Sequence, residues 1–98
     1  MEVEYSTGRV ATASLSITEA IRQFGTTIGR KYIQRIMVMR AADKFSQLYG
    51  HQALRLHPLN GDRVGQYAMK LTGNYRLIVE SIQEDKVLVV GVEDYHGD

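Results

Sequence analysis

The chain has 98 residues, 44% of them hydrophobic, which is enough for one domain with a buried core and too few for two. It contains no cysteine, which excludes disulfides and thiolate metal sites. No apolar run approaches the roughly 20 residues of a membrane span, and acidic residues stand where a signal peptide carries basic ones. The sequence therefore predicts a single domain over residues 1–98 that is soluble, cytoplasmic and not bound to a membrane.

The charges are divided unevenly along the chain, although the net charge is only +1. Residues 1–50 contain seven Lys and Arg against four Asp and Glu, whereas residues 51–98 contain five against seven. The basic excess lies in the half that predicts helices. A total so close to neutral gives no general sign of a nucleic-acid-binding protein.

The first half predicts a short strand followed by a capped helix. Apolar residues alternate with glutamates over Glu2–Tyr5, which suggests a first strand of four residues. Ser16 and Glu19 have the spacing of a capping box, in which each side chain accepts a hydrogen bond from the other's backbone N–H. This pair predicts a helix over Ile17–Phe24 that ends at Gly25. The stretch 9–15 shows no clear period.

A longer helix is predicted from Thr26 or Thr27 to about Tyr49, with Gly50 as its stop. Its apolar residues form more than one stripe, so the helix is either buried over a wide face or left partly open for a partner protein to cover. The two rows of apolar residues are Ile28, Tyr32, Ile36 and Met39, and Ile33, Met37, Ala41 and Leu48.

The second half predicts strands. Residues 53–56 are expected to be extended, and alternating apolar residues over 66–71, 75–81 and 86–92 predict three further strands joined by tight turns. Stretch 86–92 is the most apolar and is expected in the middle of the sheet. The fold class predicted is α+β, with two N-terminal helices packed on an antiparallel sheet of three to four strands.

Several polar residues suit acid–base chemistry on a phosphodiester. Histidine serves as acid or base near neutral pH, and arginine is a natural phosphate ligand. Each residue also has a structural explanation, as a salt-bridge partner, a carbonyl ligand or part of a polar tail. The histidines match no standard metal-ligand spacing, and neither a phosphate-binding glycine loop nor a serine nucleophile elbow is present. The candidates are His57, Arg76, Asp94, Tyr95 and His96.

Four motifs together resemble the HigB branch of the RelE/ParE toxin superfamily, over roughly residues 30–96. The resemblance implies two helices on an antiparallel sheet and a ribosome-dependent endoribonuclease that cuts mRNA in the ribosomal A site without metal or cofactor. It also implies a HigA-like helix-turn-helix antitoxin through which the complex contacts operator DNA. The motifs are Leu56-His57-Pro58-Leu59-Asn60-Gly61-Asp62, Gly65-Gln66-Tyr67, Asn74-Tyr75-Arg76-Leu77 and Glu93-Asp94-Tyr95-His96.

The resemblance also implies the roles of individual residues. His57 matches the active-site histidine before proline, and Arg76 matches the phosphate-binding arginine. Asp94, Tyr95 and His96 match the C-terminal catalytic group, in which His96 or Asp94 is expected to transfer a proton and Tyr95 to stack on or orient the nucleotide. Which group is the base and which the acid stays open.

One departure from the family pattern concerns the turn after Pro58. Many relatives have a lysine where this chain has Asn60, so the site lacks one cation. Two consequences are open: reduced activity, or substitution of that cation in RNA binding by Arg55, Arg63 or Lys70. Two other functions remain open: a toxin that acts on DNA gyrase without cutting RNA, as in the ParE branch, and an attenuated toxin that serves mainly as antitoxin partner and corepressor.

Overall fold

A computed structural model describes residues 1–96 of the chain. Three 3₁₀ segments, at Phe45–Gly50, Gln52–Leu54 and Gly61–Arg63, separate some of its helices and strands. In chain order these are β1 (Glu2–Tyr5), α1 (Gly8–Ala13), α2 (Ile17–Phe24), α3 (Thr26–Ala41), β2 (His57–Pro58), β3 (Gln66–Thr72), β4 (Tyr75–Gln83) and β5 (Lys86–Asp94).

The strands form one mixed sheet in the order β1-β5-β4-β3-β2. Strands β2 to β5 form an antiparallel meander, whereas β1 pairs in parallel with β5 because the chain crosses through the helices between them. The α+β class is confirmed, but residues 1–96 contain three α-helices rather than two, and five strands in a mixed sheet rather than three to four in an antiparallel one. The pairing of β1 with β5 joins segments from the two ends of the chain, so no local pattern could predict its direction.

One face of the sheet packs against the helices and forms the main core. Side chains at alternating positions of the strands are buried there, as the period-two pattern predicted. Full burial of one Val, Leu, Ile, Phe or Met side chain stabilises the fold by about 1.5–3 kcal/mol. No helix within residues 1–96 is long and apolar enough to cross a membrane. The core includes Met69, Leu71, Leu77, Val79, Val87 and Val89 from the sheet and Tyr32, Ile36 and Met39 from α3.

Helix α1 occupies the stretch in which the sequence showed no period. The Thr7 hydroxyl caps it by accepting the Val10 N–H at 3.4 Å, and only Val10 and Ala13 are buried. Six residues make fewer than two turns, which is too short for a period to appear. The Tyr32 hydroxyl donates to the Val10 carbonyl at 2.6 Å and so ties α1 to α3. Burial raises the pKa of this hydroxyl.

The longer predicted helix is interrupted, so its predicted end near residue 49 is wrong. Helix α3 stops at Ala41, Ala42 is extended with ψ 145°, and Phe45–Gly50 forms a separate 3₁₀ segment. Phe45 and Leu48 are still buried. A spacing of three residues fits an α-helix and a 3₁₀ helix equally well, so the apolar pattern did not mark the interruption.

Two further predictions about the second half require correction. Residues 53–56 are not extended, because Gln52–Leu54 is a 3₁₀ turn and Arg55 is left-handed with φ 48°. This turn buries Leu54 in the main core before the chain enters β2. Strand β5 does lie inside the sheet, between β1 and β4, but the central strand is β4.

Helices α2 and α3 approach each other closely at Gly29. A Cβ added at Gly29 would lie 2.7 Å from the backbone of Ala20, a distance at which something must move. The neighbouring atoms belong to the backbone of α2, which cannot rotate away as a side chain can. Glycine at this position therefore sets the spacing of the two helices.

We expect Gly29→Ala to lower the free energy of unfolding by about 1–3 kcal/mol, the usual cost of overpacking, although alanine favours helices. Urea unfolding followed by circular dichroism measures the change. Gly8→Ala is the matched control, since nothing lies within 4 Å of a Cβ there. Equal stability of the two variants would contradict the close approach.

Candidate active site

The face of the sheet turned away from the helices carries several of the residues predicted for the site. Lys70 and Arg76 alternate with core residues of β3 and β4 and therefore lie on this open face. They are cross-strand partners, and His57 of β2 pairs with Ala68 two residues before Lys70. Strand pairing thus brings His57, Lys70 and Arg76 together from three adjacent strands.

An open cleft of about 640 Å³ lies among these side chains. Arg55, Leu56, His57, Lys70 and Arg76 line it. Three permanent cations and a histidine therefore surround the cleft, and no carboxylate from residues 1–96 lines it. Such a lining suits an anionic ligand such as a phosphodiester.

The imidazole of His57 is oriented by the backbone just before it. Its Nδ1 lies 2.9 Å from the Arg55 carbonyl oxygen, which can only accept a hydrogen bond. Neutral His57 therefore carries its proton on Nδ1. Pro58 keeps His57 extended, and the left-handed Arg55 turns its carbonyl toward the ring.

The guanidinium of Arg76 is held by carbonyl oxygens near the β3–β4 turn. Its Nη1 donates to the Gly73 carbonyl at 2.7 Å and to the Tyr75 carbonyl at 3.1 Å. The side chain is only 8% exposed although it carries a permanent charge. The backbone of the β3–β4 turn therefore fixes the orientation of this guanidinium.

Tyr95 joins the open face from the C-terminal end of β5. Its backbone N–H donates to the Asn74 carbonyl at 2.9 Å, which holds the chain beside the β3–β4 turn. Its half-buried side chain packs against the small apolar cluster of this face, and Ala68 of that cluster is the strand partner of His57. The cluster consists of Leu59, Ala68 and Ile78.

Asp94 and His96 lie next to Tyr95 but at the surface. The His96 Nε2 is 3.2 Å from the Asp94 Oδ1, and the two side chains are 69% and 53% exposed. Neither residue, nor Tyr95, lines the basic cleft. The C-terminal group therefore lies beside the cleft with two side chains open to solvent.

Arg63 connects the turn after Pro58 to the end of β5. Its Nη1 and Nη2 donate to the two carboxylate oxygens of Glu93 at 2.8 and 2.6 Å, and its Nε donates to the Gln66 side chain at 2.9 Å. The hydrogen bonds to Glu93, together with the negative charge of that residue, raise the pKa of Arg63. The Gln66 amide donates in turn to Glu80 at 3.2 Å. The two polar clusters of the sequence are thus joined directly by an ion pair.

The structure separates the sequence-predicted residues into three groups. His57, Arg76, Arg55 and Lys70 share the basic cleft, and Asp94, Tyr95 and His96 lie beside it. The side chain of Arg63 is engaged by Glu93 and lines a neighbouring cleft. Asn60 is exposed and lines neither.

Sequence reasoning missed two charged residues near this site. Glu93 belonged to the recognised motif, but nothing in the sequence indicated that it would pair with Arg63 thirty residues away. Arg35 lies on α3 and is only 5% exposed. A signal for it existed, because Arg35 has helical spacing from the buried Tyr32 and Met39 and so lies on the apolar face of α3. No group of three or more His, Asp or Glu in the described part of the chain could hold a metal ion.

Comparison with known proteins agrees with the fold and with the motifs. The chain matches no protein-family model. It is 32% identical over 62 residues to "Endoribonuclease HigB" of Proteus vulgaris, which is 63% of this chain and 65% of that protein. The match therefore covers slightly less than two thirds of that relative's length.

Solved structures share the fold over nearly the whole chain. A YoeB/ParE toxin from Agrobacterium tumefaciens has a TM-score of 0.64 and 14% identity, covering 98% of this chain and 99% of its own. YoeB in the YoeB-YefM complex from Staphylococcus aureus has a TM-score of 0.62 and 14% identity, covering 98% and 97%. YafQ from E. coli has a TM-score of 0.58 and 10% identity, covering 93% and 89%. The chain therefore shares the fold of these solved structures and, over 62 residues, is similar in sequence to HigB.

We expect the Arg63–Glu93 ion pair to contribute about 1 kcal/mol of coupling energy, at the upper end for a partly exposed pair, because it is bidentate. A double-mutant cycle with Arg63→Gln and Glu93→Gln, followed by urea unfolding, measures it. The coupling should shrink at high salt. The control cycle uses Lys44 and Glu84, whose charges are 3.7 Å apart and more exposed, and for which almost no coupling is expected. Additive effects of the two Arg63–Glu93 substitutions would contradict the stated role of the pair.

Proposed function

We propose that this protein is the toxin of a type II toxin–antitoxin module and cleaves mRNA on the ribosome. The observation that carries the proposal is the cleft in which His57, Lys70 and Arg76 converge, in a chain similar to an endoribonuclease. Translating ribosomes would place its action in the cytoplasm. A single phosphodiester of mRNA is the group that the cleft would hold.

The proposed reaction is attack of a ribose 2′-oxygen on the adjacent phosphorus. A base removes the 2′-hydroxyl proton, the bond from phosphorus to the 5′-oxygen breaks, and an acid protonates that leaving oxygen. The products are a 2′,3′-cyclic phosphate and a free 5′-hydroxyl. Each proton transfer of this kind contributes about 10²–10⁴-fold to the rate.

The site residues divide into charge stabilisation and proton transfer. Arg76 and Lys70 would bind the phosphate oxygens, on which negative charge increases in the transition state. His96 or Asp94 would transfer a proton, with the imidazole of His57, which lines the cleft, as the second group. Tyr95 would stack on or orient a base, because its partly buried side chain packs against an apolar cluster beside the cleft.

Expression of the protein alone should arrest growth and produce cuts in mRNAs only where they are translated, as mapped by primer extension. Arg76→Lys and His96→Gln should each lower cleavage by about 100-fold or more. Arg22→Gln, on the surface of α2, is the control and should cleave normally. Circular dichroism shows whether each variant folds.

Two results would redirect the proposal. Full toxicity of both site variants, with no mRNA cuts, would favour a toxin that acts without cleaving RNA. An inactive wild-type protein that becomes active through Asn60→Lys would favour the attenuated toxin, because that change restores the cation that Asn60 lacks. If Asn60→Lys stays inactive, the missing lysine does not explain the loss.

An antitoxin partner is part of the proposal and has a surface suited to it. Met37 is 63% exposed and Ile17 is 42% exposed, and both line a shallow apolar cleft on α3 with Ile33. Arg30 and Lys31 border this cleft. An amphipathic segment with acidic residues at its margins would fit there. One of the solved structures with the same fold is the YoeB-YefM complex, and this similarity supports a protein partner for the chain.

Met37→Glu should reduce co-purification with the product of the adjacent antitoxin gene by about 10-fold or more, because it buries a charge in an apolar interface. Quantitative pull-down from co-expressing cells measures the change. Val64→Glu is the control, since Val64 is 78% exposed and follows the turn on the opposite face of the sheet. Equal recovery of the two variants would exclude this surface.

A further inference from the structure

A second basic cleft lies next to the first, at the edge of the sheet. Lys31 and Arg35 of α3 form one wall, and Arg55 and Lys70 form the other. Arg55 and Lys70 also line the candidate active site, so the two clefts share a wall and form one continuous basic surface.

Arg35 is the buried and hydrogen-bonded cation of this second cleft. It is 5% exposed, its Nε donates to the Lys70 carbonyl at 2.9 Å, and its Nη1 donates to the Gln34 side chain at 3.2 Å. Its Nη2 donates to no group within residues 1–96. Burial lowers the pKa of Arg35, but a guanidinium remains charged at neutral pH. Arg35 is therefore a fixed, buried cation that lines the cleft, and its Nη2 can donate a hydrogen bond to a ligand.

The bond to Lys70 also explains why Arg35 can be buried. The Gln66 carbonyl accepts the Leu59 N–H on the β2 side of β3, so the Lys70 carbonyl, four residues on, points to the same side. Strand β2 has only two residues and does not reach that point. Arg35 thus satisfies an exposed edge carbonyl, and this structural role accounts for its Nε but not for its Nη2.

Arg55 joins the two clefts through its backbone as well as its side chain. It is the one non-glycine residue with a positive φ in the described part of the chain. A conformation of this kind is strained and is concentrated at functional sites. Here it directs the carbonyl to His57 and leaves the side chain between the clefts.

The described residues that line the second cleft include four cations and no carboxylate. The cations are Lys31, Arg35, Arg55 and Lys70. The cleft around Arg63 differs, because Glu80 and Glu93 line it. The cations of the second cleft therefore face no carboxylate from residues 1–96 in that cleft, whereas Arg63 is neutralised by Glu93.

We propose that the second cleft binds a phosphate of the same RNA strand that is cut in the first, at a flanking nucleotide. This inference rests on the proposed function and extends it to a substrate path from the sheet face to α3. A strand crossing from one cleft to the other would keep its backbone against cations throughout. Lys31 and Arg35 are therefore binding residues for the flanking phosphate and not catalytic residues.

The test measures binding of uncleavable RNA. A 2′-O-methyl oligonucleotide lacks the attacking hydroxyl, so wild-type protein can be used without cleavage. Fluorescence anisotropy at several KCl concentrations gives Kd for an eight-nucleotide and a three-nucleotide strand. Lys31→Gln should weaken the longer strand about 3- to 10-fold and reduce its salt slope by about 0.7, the value for one phosphate contact on a single strand.

Controls separate the flanking site from the catalytic cleft. Lys31→Gln should leave the three-nucleotide strand unchanged, whereas Lys70→Gln should weaken both. Lys86→Gln removes the same charge beside Glu2 and Glu4 on the far edge and should change neither. Arg35→Lys keeps a positive charge but loses the planar guanidinium, and should weaken binding of the longer strand. Urea unfolding shows whether the variant is as stable as the wild type. If it is less stable, Kd is corrected for the folded fraction.

Three results would overturn the inference. The first is an unchanged Kd and salt slope for Lys31→Gln on the longer strand. The second is the absence of oligonucleotide binding by the wild type. The third is a weakening of binding by Lys31→Gln that is seen only with intact ribosomes. The last would assign the cleft to ribosomal RNA. Failure of the proposed function is distinguishable, because then translated mRNA stays uncut in cells whatever Lys31→Gln does to oligonucleotide binding.

Discussion

Burial of one face of the sheet under α3 is the constraint on which the rest of the structure depends. Side chains in a strand alternate between faces, so placing Met69 and Leu77 in the core forces Lys70 and Arg76 onto the other face. A slip of one residue in either strand would bury a lysine or an arginine beneath α3. The hydrophobic core and the basic cleft are therefore two results of a single register.

Arg35 and Arg63 differ in the groups that bind their guanidinium groups. Arg35 bonds to the carbonyl of Lys70 at an open sheet edge, and Arg63 bonds to the carboxylate of Glu93. A carbonyl positions a guanidinium without neutralising it, whereas the Glu93 carboxylate neutralises Arg63. This difference explains why the positive surface extends from the cleft toward α3 and not toward the turn around Arg63.

Local patterns predicted the elements whose chemistry is also local. Ser16 caps α2, and the alternation in β3 and β4 assigned their faces correctly. The same reasoning failed where two structures share a pattern, as at the end of α3, where buried residues three apart fit an α-helix and a 3₁₀ helix. It failed also at Arg55, because a left-handed arginine depends on how Leu54 reaches the core and has no signature in the sequence.

The sequence alone determined the α+β class, the apolar face of each strand and, through its motifs, the candidates His57, Arg76 and the C-terminal group. Tertiary structure decided which of them meet. It placed Lys70 and Arg55 with His57 in one cleft and placed Arg35 of α3 in the adjoining cleft. It also paired Arg63 with Glu93 outside the cleft of His57. The physical reason is that periodicity and capping act over a few residues, whereas a cleft between strands and a helix depends on pairing across distances that no local pattern records.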